Sequence, residues 1–181
     1  MTNSNCLLIA SDERIKKAFN DIDENQAKEI IKSIDIKSFA YQDVYTHGVG
    51  RKNGFIAQQL EKILPECVEQ IKNFIPNILV EARVTWEQNS KFPILMFEEA
   101  INTVLKPGDI LQIKTNNAPG DSGIITTEVM GVYGTTILIE QGKINYDIQK
   151  VLVIGTQVDD FRVIDIQQVL ALLVKVVQGL L

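Results

Sequence analysis

Two side chains near the start of the chain could do chemistry as a pair: Ser11 and Lys16, within "LLIASDERIKKAF", residues 7–19. A serine hydroxyl is a weak nucleophile until a base takes its proton, and a neutral lysine amine is such a base. The same serine is also an ordinary helix cap. Placed before a charged first turn, it accepts a hydrogen bond from the N–H two or three residues on. A helix start would offer N–H groups to a developing oxyanion, and its positive end favours a neutral amine nearby. In a regular helix, positions five apart differ by roughly 140° around the axis. A dyad therefore needs Ser11 just outside the helix, with the lysine stem folded back toward it. Lys17 is no better placed by angle. Locally, cap and nucleophile both remain open.

The other candidate groups do not gather into a site. "PGDSG", residues 119–123, has the sequence that surrounds a trypsin-like nucleophile, but that mechanism needs a histidine base and a buried aspartate. The chain has one histidine, His47, in a glycine-rich turn. "PGDSG" reads as a loop between strands, and His47 as a solvated loop residue. The carboxylate pairs Glu98-Glu99 and Asp159-Asp160 read as solvated or structural. Cys6 and Cys67, with one histidine, make neither a zinc quartet nor a CxxC motif and read as free thiols. No metal and no cofactor is expected.

The bulk properties fit a soluble globular protein: 181 residues, 45% hydrophobic, 23% charged and a net charge of −5. The basic runs Lys16-Lys17 and Arg51-Lys52 are short, so nucleic acid is not an expected partner. "MTNSNCLLIA" lacks the basic region of a secretory signal. The longest apolar run, near the C-terminus, is interrupted by Lys175 and falls short of the ~18 residues that span a bilayer. No membrane segment is expected.

The elements that must position Ser11 and Lys16 are read from periodicity. Residues 11–34 read as helical, with Ile15, Phe19 and Ile22 at near-helical spacing. Asp23 caps a segment whose Ala27, Ile30, Ile31 and Ile34 share a face. "IKSFAYQDVY" alternates and suggests a strand or hairpin arm, followed by the turn "THGVGRKNG". "GFIAQQLEKIL" is helical through Ile56, Leu60 and Ile63, and "PECVEQIKNF" restarts a helix with proline in its first turn. From about Leu79 to Ile154 the strand-like segments "ILVEARVTWEQ", "DILQIKT", "GIITTEVMGVYG", "TTILIEQG" and "KVLVIG" predict a small antiparallel β-domain or sandwich. Turn signals separate them at Pro107-Gly108-Asp109, Asn116-Asn117, Pro119-Gly120-Asp121 and Gly142-Lys143. From Val163 to Leu181 helical periodicity returns, with Ile166, Val169, Leu173, Val176 and Leu180 in an a/d pattern. That helix is apolar almost all round, as in a buried helix or one facing copies of itself. It is expected to continue in a longer parent protein, from which this chain is a piece.

Taken together and in order, these motifs resemble the intramolecular chaperone auto-processing domain. That domain ends phage tailspikes, endosialidases and other trimeric viral fibre proteins, and occurs in the myelin regulatory transcription factor group. Its Ser-Asp-x-Arg-x-Lys signature is matched by Ser11, Asp12, Arg14 and Lys16. Its hairpin is matched by "FAYQDVY", and its Gly-(Phe/Val)-Ile-Ala-Gln-Glu-Val before Pro-Glu by "GFIAQQLEKILPECV", with Gln59 in place of the acidic residue. Its closing segment is matched by "GTQVDDFRVIDIQQVLALLVKVVQGL". The match is good over residues 11–76 and fair over 153–181. The β-rich segment is longer than in the compact phage form and is similar to versions in large eukaryotic viruses.

The resemblance implies an α+β fold with an N-terminal helical chaperone part (1–76), an antiparallel β-rich insertion (77–155), and a C-terminal helix (156–181) forming a trimeric coiled coil. It also implies a homotrimer that assists the folding of an upstream fibre-type client and then cuts itself free, in a virion precursor or the host cytoplasm. By that resemblance Ser11 is the nucleophile and Lys16 the general base of a self-cleaving serine endopeptidase. The scissile bond lies next to Ser11, on a side the sequence does not specify. The alternative is a non-catalytic trimeric folding or fibre-tip module in which Ser11 only caps a helix.

Overall fold

The structure, a computed structural model, describes residues 11–86, 92–115 and 123–181. Cys6 and most of "PGDSG" (119–122), with the turns at Asn116-Asn117 and Pro119-Gly120-Asp121, lie outside the described residues. The fold is α+β, dominated by antiparallel strands. The chain divides into two compact units, residues 1–34 with 166–181, and residues 35–165.

In the first unit, the helix expected over 11–34 is instead two separate elements. A single 3-10 turn spans Glu13–Ile15, and helix α1 spans Glu24–Ser33. Residues 16–23 between them are not helical, and Ala18 holds a positive φ of 56°. That conformation interrupts a helix, because it is costly for a residue with a Cβ. Asp23 caps α1 as expected, accepting from Gln26 N at 2.8 Å.

The C-terminal helix α4 runs Ile166–Gln178 and packs against α1. Val169 and Leu172 are buried on α4, and Ala27 is fully buried on α1. The expected a/d set therefore splits. Val169 is buried and Val176 half-buried, while Ile166, Leu170, Leu173, Val177 and Leu180 form a second, exposed apolar stripe at spacings of 4, 3, 4 and 3. A helix that is apolar on most sides can pack on one face and still present another.

The second unit opens with strand β1 (Lys37–Phe39), helical turn α2 (Val44–His47) and strand β2 (Lys52–Gly54). The two strands pair antiparallel, Phe39 opposite Lys52. The hairpin arm was expected to continue through Val44-Tyr45. Instead Asp43 accepts from Tyr45 N and Thr46 N and starts a helical turn there. Helix α3 (Ala57–Leu60) is shorter than the expected segment, although Leu64 N still reaches Leu60 O. The helix expected at "PECVEQIKNF" is overturned. After a 3-10 turn at Pro65–Cys67, strand β3 runs Val68–Ile75. Its Val-x-x-Ile-x-x-Phe spacing imitates a helix, but the residues pair along a long partner strand, and tertiary pairing overrides the local pattern.

The remaining strands are β4 (Val80–Trp86), β5 (Pro93–Met96), β6 (Ile110–Lys114), β7 (Ile124–Tyr133), β8 (Thr136–Ile139) and β9 (Lys150–Ile164). The order is β3-β9-β4-β5-β8-β7-β6, with β6 also paired to β9. Within this sheet all strands but β3 thus close on themselves, so the expected antiparallel β-domain or sandwich is a closed barrel with β3 outside it. The first part of β9 completes the barrel between β4 and β6, and its second part pairs with β3, from Thr156 opposite Ile75 to Ile164 opposite Val68. The division expected at 155/156 lies inside β9, and Val163 is strand rather than helix.

Alternation fills the barrel. Leu95, Leu111, Ile113, Val129, Ile139 and Val153 have no exposure, and Ala82 and Ile137 have 1%. These residues recur every second position along their strands, as one face of a pleated strand must. At Gly155 the chain crosses close to itself: a Cβ there would strike the Ile75 carbonyl. Beside it, Asn77 accepts from Thr156 N and donates to Thr156 Oγ1, each at 3.0 Å.

Candidate active site at Ser11 and Lys16

The 3-10 turn brings the two singled-out side chains together. Lys16 Nζ donates a hydrogen bond to Ser11 Oγ at 2.6 Å. The 140° separation of a regular helix does not apply, because only Glu13–Ile15 are helical and Lys16 is extended at φ −113°, ψ 157°. Ser11 stands outside the turn and Lys16 leaves it, and the lysine side chain reaches back to the serine. Base catalysis needs the same contact in reverse, with a neutral amine accepting the hydroxyl proton.

Ser11 is not the helix cap. Asp12 is, and its carboxylate accepts from Arg14 N at 2.8 Å, Arg14 Nε at 2.9 Å and Arg14 Nη2 at 2.7 Å. Ile15 N reaches Asp12 O and Lys16 N reaches Glu13 O, closing the turn. The Arg14 guanidinium and N–H hold the Asp12 carboxyl below the usual carboxylate range, and Asp12 in turn raises Arg14. The N–H groups of Arg14, Ile15 and Lys16 are engaged within the turn. A turn of three residues also carries little of the dipole expected from a full helix start. All residues from Ser11 to Lys16 are exposed.

The other groups lie apart from this turn in sequence. His47 ends α2, exposed, with its ring stacked on Tyr41 at a centroid distance of 4.0 Å. Asp43 is buried. Burial raises its pKa, but hydrogen bonds from Thr46 and Tyr45 and the charge of His47 outweigh that and hold it low. Glu98 and Glu99 line an open cleft with Glu81, Arg83 and Lys150. Asp159 pairs with Lys72 and Asp160 with Arg162, each at 3.5 Å on the surface. Cys67 is a buried free thiol, raised by desolvation and then by the charges of Glu66 and Asp165. Among the described residues no cluster of His, Cys, Asp and Glu could hold a metal ion, and no helix is long and apolar enough to cross a membrane.

Sequence reasoning passed over two interactions. Glu61, just after α3, accepts from Arg162 of β9 at 2.7 Å and from Gln70 of β3 at 3.3 Å. Arg162 holds the Glu61 carboxyl low. No local pattern announces a pairing across a hundred residues. The Asp12–Arg14 contact had a signal, since aspartate two residues before an arginine is the spacing of an Asx turn with a charged partner.

Comparison with known proteins places this turn at a boundary. The match to the model of the Peptidase_S74 family, chaperone of endosialidase, covers residues 11–69 and so begins at Ser11. An uncharacterized protein, VP1 of Micromonas pusilla reovirus (isolate Netherlands/2005), is 41% identical over 78 residues, 43% of this chain. The chain spans about 4% of that relative's length. The relative comes from a virus, and the matched family is one of chaperones. Residues 11–69 of this chain are thus similar to the chaperone of endosialidase family.

Proposed function

We infer that the protein is an intramolecular chaperone that works as a homotrimer. It assists the folding of an upstream fibre-type segment and then releases itself by serine–lysine autoproteolysis next to Ser11. The observation that carries this reading is the 2.6 Å contact between Lys16 Nζ and Ser11 Oγ at the first residue of the family match. In the proposed step neutral Lys16 takes the Ser11 proton, and the oxygen attacks the adjacent peptide carbonyl. The carbon–nitrogen bond breaks, the Lys16 ammonium protonates the leaving amine, and water hydrolyses the resulting ester. N–H groups flanking the turn would hold the oxyanion. An exposed dyad needs shielding from water at the moment of reaction, which packing of neighbouring chains would supply. Cleavage coupled to assembly then reports correct folding and traps the fibre kinetically. The viral relative favours a virion precursor or the infected host cell as the setting.

The exposed stripe Ile166, Leu170, Leu173, Val177 and Leu180 is the surface through which three chains would associate. Light scattering should give three chain masses at micromolar concentration, and Leu173→Asp should give one. A single chain mass for the unaltered protein contradicts the trimer.

The rival reading is a trimeric module that never cuts. Intact-mass analysis of the full-length precursor separates the two. Ser11→Ala should leave one uncut chain where the unaltered precursor gives two fragments. The same fragments from both would end the role of Ser11.

A further inference from the structure

We propose that Asp12 and Arg14 form a positioning pair that sets Lys16 Nζ on Ser11 Oγ; the proposal rests on the dyad reading above. A single 3-10 turn has poor hydrogen-bond geometry and is marginal in water. This one has non-helical chain after it and no buried residue. Something else must hold it closed. The Asp12 carboxylate does so by taking three hydrogen bonds from Arg14, one from the backbone and two from the guanidinium.

The consequence lies in where the chain goes next. With Arg14 N drawn to Asp12 Oδ1, Ile15 N and Lys16 N turn inward onto the carbonyls of Asp12 and Glu13 at 3.2 and 3.0 Å. Lys16 leaves the turn extended, and its stem reaches back to Ser11. The pair acts on the dyad through the backbone, since its own polar contacts are internal. Arg14 is 88% exposed and Asp12 47%. An ion pair so exposed adds little to global stability, whereas a two-pronged arginine–carboxylate contact fixes direction. The pair therefore governs geometry at the site rather than the survival of the fold.

Two readouts on the full-length precursor test this. The first is the rate of self-cleavage. Asp12→Ala and Arg14→Ala should each slow it tenfold or more, and the double variant should be no slower than either single, because both remove one unit. Asp12→Asn keeps an acceptor for Arg14 N and should fall between Asp12→Ala and the unaltered chain. The second readout does not depend on cleavage: the rate of reductive methylation of Lys16 relative to Lys17, by mass spectrometry with formaldehyde and a borane. Lys16 should react several-fold more slowly than Lys17 in the unaltered protein and in Arg14→Lys to a lesser degree. It should react at the Lys17 rate in Asp12→Ala, Arg14→Ala and Ser11→Ala. Unchanged Lys16 labelling in Asp12→Ala overturns the positioning pair, even if Ser11→Ala abolishes cleavage. Altered labelling alongside cleavage that survives Ser11→Ala keeps the pair and removes the dyad. The two failures are thus distinguishable.

Discussion

In the barrel, Leu95, Leu111, Ile113 and Val153 are wholly shielded from water, whereas every residue from Ser11 to Lys16 faces solvent. The barrel is held by contacts far apart in sequence. Strand β9 alone joins β3, β4 and β6. The turn is held by contacts within three residues, and by the single reach from Lys16 back to Ser11. One region is stable because burial is large and every barrel strand is paired on both sides. The other is shaped by short-range electrostatics and is accessible to a neighbouring chain. Under the proposed function, a site that reacts only on assembly is better built the second way, since a buried dyad would be complete before any partner arrived.

That contrast can be broken from the barrel side with the largest effects on stability. Leu111→Ala should destabilise the protein by about 2–5 kcal/mol, as truncation of a fully buried leucine does, seen as a lowered midpoint in chemical denaturation. Gly155→Ala should cost about 1–3 kcal/mol, because the added Cβ meets a backbone carbonyl rather than a flexible side chain. Neither should change the Lys16–Lys17 labelling ratio while the protein remains folded.

Acid acts on the second unit through depressed carboxylates, those of Asp43 and Glu61. A depressed pKa contributes stability that is present above the unfolded value, about 3.9 for aspartate and 4.3 for glutamate, and is lost as pH falls through the folded value. Melting temperature should therefore be insensitive to these groups from neutral pH to about 5 and decline below about 4. Arg162→Met, which removes the cation beside Glu61, should lower the melting temperature at neutral pH and make that decline shallower. A decline that begins at neutral pH would contradict these assignments. The smallest effect belongs to the turn: Asp12→Ala should leave the melting temperature unchanged, since the pair is exposed.

Legibility in the sequence followed the range of the interactions. The strands around Arg83, Gln112, Thr126 and Leu138 were readable because alternation is local, and so was the Asp23 cap. Strand β3 was misread because its apolar spacing fits a helix and its partner lies some ninety residues away. Closure of the barrel was hidden for the same reason: nothing near Leu111 announces that it will pair with Thr156. Strand β5 was missed because it is four residues long and begins at proline. At the site, residue types gave Ser11 and Lys16, but not how they meet. An assumed regular helix put them on different faces, and the short 3-10 turn removes that obstacle.

The central claim is that Lys16 serves as the base for Ser11 in an open site. Openness gives it a direct test, because a small amine from solution can enter a gap left by the lysine. The Lys16→Ala precursor should be uncut alone, and should regain cleavage in proportion to the free-base concentration of added ethylamine, while Ser11→Ala regains none. Cleavage of Lys16→Ala at the unaltered rate without amine would contradict the account.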